Sequence, residues 1–320
     1  MSQQRTPVVV REVRQETGDI KSFFLTGVDG AVLPPFKPGD HIDIELQEGT
    51  VRQYSLCNGP LETDAYHISV KKEAASRGGS RILHENVKEG DVLHISPPRT
   101  NFPLTTEATR HIFIAGGIGI TPILSMLRHL QHENRPCELH YFTRTEPDTP
   151  FRGELKASLQ SALHTGLDAE RTKEQLANIL SSRTDGSHLF FCGPAPFMSA
   201  IRALASSLGW PEDSVHYEYF SPPDTAATAT VDTPFQVYLA KSQCTFDVPA
   251  GKTILEVLRA GKIPAESSCE RGTCGACVVK VLEGTPEHRD SFLSDFQKKS
   301  GKKIALCVSR SQSPLLTIDL

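Results

Sequence analysis

Cys269-Glu-Arg-Gly-Thr-Cys274-Gly-Ala-Cys277, followed at a distance by Cys307, spells the spacing C-x4-C-x2-C…C. That succession of gaps wraps a plant-type 2Fe-2S cluster. Thiolates suit soft iron, and Gly272 and Gly275 let the backbone turn tightly enough to aim its amides at the cluster sulfurs. Zinc sites usually offer paired C-x2-C hairpins or added histidines, whereas here a four-residue gap, a two-residue gap and a lone distant cysteine come in order. The stretch predicts a domain that moves single electrons, with Cys269, Cys274, Cys277 and Cys307 as iron ligands. Around it, FQVYLAKS and CTFDVPA read as a hairpin and TILEVLRAGK as an amphipathic helix. VVKVLEG and a terminal LLTIDL complete a small mixed sheet with the helix across it.

The rest of the chain must feed that domain. At 320 residues it is long enough for two or three domains, each with its own core. A net charge of −4 and a pI near 6.3 give no broad basic field for nucleic acid or anionic membrane. The segment MSQQRTPVVVREV has only a short apolar run, and no stretch is long enough to span a bilayer. A cytoplasmic location is expected, and with it a reducing compartment in which Cys57, Cys137, Cys192 and Cys244 are free thiols. The twelve histidines are scattered without a paired-ligand spacing.

Residues 1–107 read as short strands between turns, from PVVVREVRQ through SFFLTGV, HIDIEL, VRQYSLCN and AYHISVKKE to DVLHISPP, the pattern of an antiparallel barrel. Lys37-Pro38-Gly39-Asp40 and Lys88-Glu89-Gly90-Asp91 punctuate it as turns. Over 108–224 strands alternate with helices: HIFIAGG, PILSMLRHLQHE, ELHYFTR, HLFFCGP and APFMSAIRALASSLG. This implies a parallel sheet with crossovers. Residues 225–234, rich in Ala and Thr without a hydrophobic period, read as a linker to a third domain at 235–320. No internal repeat is evident.

Three further motifs carry chemistry. In Arg52-Gln-Tyr54-Ser55, strand alternation puts Arg52 and Tyr54 on one face and Ser55 on the other. An arginine can clamp a phosphate and a tyrosine can lie along a flat ring, although alone the pattern is ordinary strand alternation. Gly78-Gly79-Ser80 precedes the short helical stretch RILHENV, where free backbone N–H groups can meet an anion and Ser80 can serve as N-cap or phosphate donor; alone, it is a plain glycine loop. Gly116-Gly117-Ile-Gly119-Ile-Thr121-Pro122 joins a strand to a helix. It lets a pyrophosphate approach closely, with Pro122 pre-set in the first helical turn. It departs from G-x-G-x-x-G because Pro122 stands at the third glycine. A second strand ends in Cys192-Gly193-Pro194 at the same, ligand-collecting edge of the sheet.

In this order, and over essentially the whole chain, the motifs resemble the phthalate dioxygenase reductase family, whose members, vanillate O-demethylase-type reductases among them, supply Rieske oxygenases with electrons. The resemblance implies a multidomain α+β protein: an antiparallel flavin-binding β-barrel, an α/β parallel-sheet nucleotide-binding domain and a C-terminal β-grasp plant-type ferredoxin domain. It implies FMN held by Arg52 near the phosphate, Tyr54 along the ring, Ser55 close to the reactive face, and Gly78, Gly79 and Ser80 at the phosphate. It places the pyridine nucleotide on Gly116, Gly117, Gly119, Thr121 and Pro122, with Thr121 near the nicotinamide and Cys192, Gly193 and Pro194 as a second wall. Phe220 matches the aromatic that covers the flavin where nicotinamide enters. Ser55, Thr121 and Phe220 are thus the residues nearest the hydride transfer.

The expected activity is an NADH-dependent reductase passing electrons through FMN to the 2Fe-2S cluster and on to a terminal Rieske oxygenase. NADH yields two electrons at once and the cluster accepts one, so a cofactor able to split the pair must stand between them. Plant-type clusters lie near roughly −400 mV and Rieske centres between about −150 and +300 mV, which makes that flow downhill. Two alternatives share the motifs: a reductase serving a carnitine-type or haem monooxygenase, and a flavin and iron-sulfur redox sensor. The nicotinamide loop argues against the sensor, which needs no hydride donor. Thr143-Arg144-Thr145-Glu146 offers both a cation for a 2′-phosphate and an acid for a ribose hydroxyl. The preference for NADH therefore comes from the resemblance alone.

Overall fold

A computed structural model describes residues 5–46, 50–74, 78–105, 107–157, 161–221 and 232–320. The chain divides into two compact units, Ser2–Glu218 and Tyr219–Leu320. The first opens with β1 (Thr6–Thr17), β2 (Ile20–Gly27), β3 (Asp40–Glu45), β4 (Val51–Ser55), β5 (Tyr66–Lys71), α1 (Gly79–Glu85), β6 (Val92–Ile95) and β7 (Arg99–Thr100). The strands run β4-β3-β6-β1-β2-β5 with β7 beside β3. Their pairings are all antiparallel, and a Leu56–Ile68 bridge brings the end of β4 to β5. Alternate residues, Val8 and Val10, Phe23 and Leu25, Ile42 and Ile44, Ile68 and Val70, fill the interior, as period-two burial requires. The two expected turns are built alike. Lys37 and Lys88 each donate N–H to an aspartate carboxylate three residues on, at 2.8 Å, and Gly39 and Gly90 take the left-handed backbone values that the turn demands.

The second part of this unit comprises β8 (Arg110–Gly116), α2 (Ile120–His132), β9 (Cys137–Thr143), α3 (Arg152–Ala157), β10 (Ser161–Thr165), α4 (Ala169–Ser181), β11 (Ser187–Cys192), α5 (Ala195–Ser207) and β12 (Val215–Glu218). The sheet is parallel, in the order β10-β9-β8-β11-β12. Strand order reverses between β8 and β11, so the loops after these two strands flank a topological switch point. The segments expected as the first two domains fall, as far as Glu218, within one compact unit. Ser125 on α2 donates to the Asn58 carbonyl (2.8 Å) and Arg128 to the Cys57 carbonyl (3.0 Å). Of the expected linker, 225–231 lie outside the described residues.

The other unit contains β13 (Phe235–Leu239), β14 (Cys244–Val248), α6 (Ile254–Ala260), β15 (Val278–Glu283), β16 (Pro286–Glu287), α7 (Asp295–Ser300), β17 (Lys303–Ala305), β18 (Arg310–Ser311) and β19 (Leu315–Ile318). Its main sheet runs β14-β13-β19-β15-β17. It is mixed, because β13 and β19 pair in parallel while their neighbours pair antiparallel. Thr253 and Glu256 form a capping box that starts α6, and Ile254, Leu255 and Leu258 bury its apolar stripe. The buried Arg310 bonds the carbonyls of Thr233, Pro249 and Lys252, fastening the entry strand to the domain.

Candidate functional site

The four predicted ligands come together in two pairs. Cys269, Cys274 and Cys277 lie on the loop from α6 to β15, and Cys307 follows β17. The Cys269 sulfur is in hydrogen-bond contact with Cys274, and Cys277 with Cys307. These contacts lower the Cys269 thiol to about 5 and move Cys277 down, while raising Cys274 and Cys307. Backbone N–H groups also point at sulfur: Arg271 donates to Cys269 at 3.4 Å, Ala276 to Cys274 and Gly272 to Cys307. The backbone is left-handed at Glu270, Gly272 and Gly275. A Cβ on Gly275 would fall 2.3 Å from Phe292 Cζ, and one on Gly272 2.7 Å from Val308 Cγ2. Among the described residues no three such donors converge on one point as for a single ion. Thiols set two and two, with amides aimed at sulfur, fit a dinuclear iron-sulfur cluster.

All eight cysteines are free thiols. The other four differ in character from the ligand set. Burial pushes Cys57 up to about 12 and Cys137 up to about 11. Cys192 is raised further, again by burial.

In the other unit, β4 carries Arg52, Tyr54 and Ser55 opposite Ile44, Ile42 and His41 of β3. Arg52 lies against the glycine loop, its Cγ 2.5 Å from where a Gly79 Cβ would be. The structure thus brings together two motifs far apart in sequence. Ser80 is not the N-cap expected for α1. Gly78 holds that position in a left-handed conformation, which moves the helix start forward and places Ser80 inside the first turn, where its hydroxyl accepts from Glu73 N–H at 3.2 Å. Burial raises the Tyr54 phenol against the opposing pull of Arg52.

At the switch point the two loops touch. A Cβ on Gly119 would meet the Cys192 carbonyl oxygen, and Gly193 packs on Gly116. Pro194 and Phe197 close over Gly116, each 3.0 Å from where a Cβ on it would be, and Tyr141 donates to the Gly117 carbonyl at 2.9 Å. Thr121 is buried in the first turn of α2 beside Pro122, its hydroxyl donating to the Ile118 carbonyl (3.1 Å). The acid after β9, Glu146, is engaged by Arg152 at 2.8 Å and Lys156 at 2.5 Å. Phe220 belongs to the other unit and is exposed.

Two residues that sequence reasoning passed over stand out. Glu218, the last residue of β12, is registered with Cys192. Burial lifts its carboxyl to about 8, and Oε2 has no hydrogen-bond partner among the described residues. His41, registered with Ser55, keeps both ring nitrogens buried without a partner among the described residues, and burial drives it down to about 3. Buried polar groups are normally satisfied. These two orphans stand beside Ser55 in the barrel and beside Cys192 in the parallel sheet. A cavity of about 560 Å³ lined by Phe24, His67, Arg128 and Phe151 among others takes in Glu146, the acid of the segment after β9, but none of the residues expected at the flavin.

Fold and site together define a modular oxidoreductase with a ferredoxin-like iron-sulfur domain. Residues 237–312 match the 2Fe-2S iron-sulfur cluster binding domain, and 93–215 match the N-terminal domain of dimethylamine monooxygenase subunit DmmA-like proteins. Vanillate O-demethylase oxidoreductase of Pseudomonas putida is 42% identical over 98% of this chain and 99% of that one. The solved structure of phthalate dioxygenase reductase, a modular structure for electron transfer from pyridine nucleotides to [2Fe-2S], superposes with a TM-score of 0.73 at 37% identity, covering 99% of this chain and 98% of that one. Oxidoreductase NdmD of Pseudomonas putida is 41% identical over 96% of this chain, which spans 52% of its length. The chain belongs to the phthalate dioxygenase reductase family. No helix among the described residues is long and apolar enough to cross a membrane.

Proposed function

We propose that the chain is the reductase component of a Rieske-type aromatic dioxygenase or O-demethylase, drawing electrons from NADH and delivering them to the terminal oxygenase. The observation that carries this reading is the two-by-two pairing of Cys269 with Cys274 and Cys277 with Cys307. When bound, FMN and the cluster supply the conversion of a hydride pair into single electrons.

The chain's own residues bind and orient. Arg52, held against Gly79, presents a guanidinium to the FMN phosphate beside Gly78 and Ser80, a charge-assisted contact. Tyr54 and Ser55, next on the same strand, would hold the flavin ring when it is bound. Gly116, Gly117 and Gly119 leave room for the nucleotide pyrophosphate, Thr121 and Pro122 start the helix behind it, and Cys192, Gly193 and Pro194 form the facing wall. Phe220 matches by sequence position the aromatic that in the family covers the flavin. Cys269, Cys274, Cys277 and Cys307 hold the iron. The setting proposed is the cytoplasm, a reducing compartment in which Cys57, Cys137, Cys192 and Cys244 stay free thiols.

Reconstitution with a panel of purified Rieske oxygenases tests the proposal. NADH-dependent oxygenation of an aromatic substrate by at least one of them is expected. Cluster reduction by NADH without transfer to any oxygenase would overturn it.

A further inference from the structure

The 235–320 segment has twelve basic and nine acidic residues on a chain whose overall charge is −4. Positive charge is concentrated where α7 turns into β17. Phe296 is 78% exposed on α7, and Lys299, three residues on, shares its helical face. Gly301, left-handed at the C-terminus of α7, reverses the chain so that Lys302 and Lys303 follow at once, both exposed. Lys303 stands directly across from Lys280 in the β17–β15 pair, and Leu282, exposed, follows two residues on in β15. Lys280, Lys302 and Lys303 form no ion pair among the described residues.

Folding does not call for this arrangement, because like charges directly opposite on paired strands are destabilising. Lysine on an edge strand does discourage stray strand pairing, which accounts for Lys303 on β17. It does not account for Lys299 or Lys302 off the strand, nor for an aromatic ring left in water among them. An exposed aromatic with lysines on its own helix face and on the strand that follows is the composition of a docking patch.

The patch is also joined to the cluster loop from both ends. Ahead of α7, Ser291 donates to the Gly272 carbonyl (3.0 Å), Phe292 packs on Gly275, and Lys298 donates to the Asp290 carbonyl. Behind it, β17 runs from Lys303 through two residues to Leu306 and Cys307.

We propose that Lys280, Phe296, Lys299, Lys302 and Lys303 form the surface on which an acidic face of the electron-accepting oxygenase docks. The proposal rests on the function given above. Charge of this kind raises encounter rate and orients the partner, so its loss shows in the apparent KM for the partner and in salt dependence.

The test compares the full-length chain with Lys302→Glu/Lys303→Glu and, as a charge-matched control on α4, Arg171→Glu/Lys173→Glu. Each is assayed with the reconstituting oxygenase over a range of NaCl concentrations, with NADH-driven cluster reduction followed separately. The expected result is at least about a tenfold rise in KM for the oxygenase and a flattened salt dependence in the Lys302/Lys303 variant, with cluster reduction unchanged. The control should stay within about twofold of the unmodified chain, and Phe296→Ser should raise KM without altering the salt slope. If the unmodified chain drives turnover and Lys302→Glu/Lys303→Glu matches it in KM and salt slope, the docking surface is wrong while the function stands. If the unmodified chain reduces its cluster but drives no oxygenase, both fall.

Discussion

The carbonyl oxygen of Cys192 sits 2.3 Å from where a Cβ on Gly119 would be, so the two loops at the parallel-sheet edge meet through a position that only hydrogen can fill. Gly119 has an ordinary helical φ of −64°, and the demand on it is therefore steric. Gly119→Ala should force the β8 and β11 loops apart, at about 1–3 kcal/mol. Urea melts should show that loss, and NADH-driven flavin reduction should slow with it. Unmodified stability and rate would mean that the two loops are not coupled.

Arg52 and Gly79 make a different case. Here the colliding atoms belong to a flexible side chain, so Gly79→Ala should displace the guanidinium with little change in melting temperature. FMN content after purification should fall, as it should in Arg52→Ala. Acid release and chromatography of the flavin measure this, and recovery of FAD would contradict the assignment.

Among the cysteines, Cys274→Ala and Cys307→Ala should abolish the cluster's visible spectrum and its iron. Cys244→Ser should keep both. Retention of a full cluster without Cys307 would mean that another residue is the fourth ligand.

The grouping of the four cysteines was legible because C-x4-C-x2-C is a local pattern, and the strand-to-helix loops because strand, glycine turn and helix are contiguous in sequence. Glu218 and His41 could not be found that way. Each is remarkable only for being buried without a partner, a property conferred by β11 on one and by β4 on the other. Ser80 was misplaced by one structural step, since the left-handed Gly78 took the cap. Short, polar α7 has no hydrophobic period, but Ser294-x-x-Gln297 with Gly301 after it was a start and stop signal waiting to be used.

Glu218 gives a pH signature. Its carboxyl stands near 8 in the folded chain against an ordinary 4.5, through burial. The folded state therefore holds a proton that the unfolded state has released. Stability from this group is complete below 4.5 and is lost as pH rises to 8. Glu218→Gln should flatten the fall in melting temperature across that window. Identical pH slopes would mean that Glu218 is charged and solvated in the folded protein.

The central claim is that electrons enter at the nucleotide edge and leave from the iron-sulfur domain. Anaerobic stopped-flow of the full chain with NADH, followed at the flavin and cluster absorption bands and then mixed with an oxygenase, tests it most directly. The account predicts flavin bleaching first, the cluster second, and reoxidation of the cluster on contact with the oxygenase. A cluster that stays oxidised while the oxygenase turns over at full rate would contradict it.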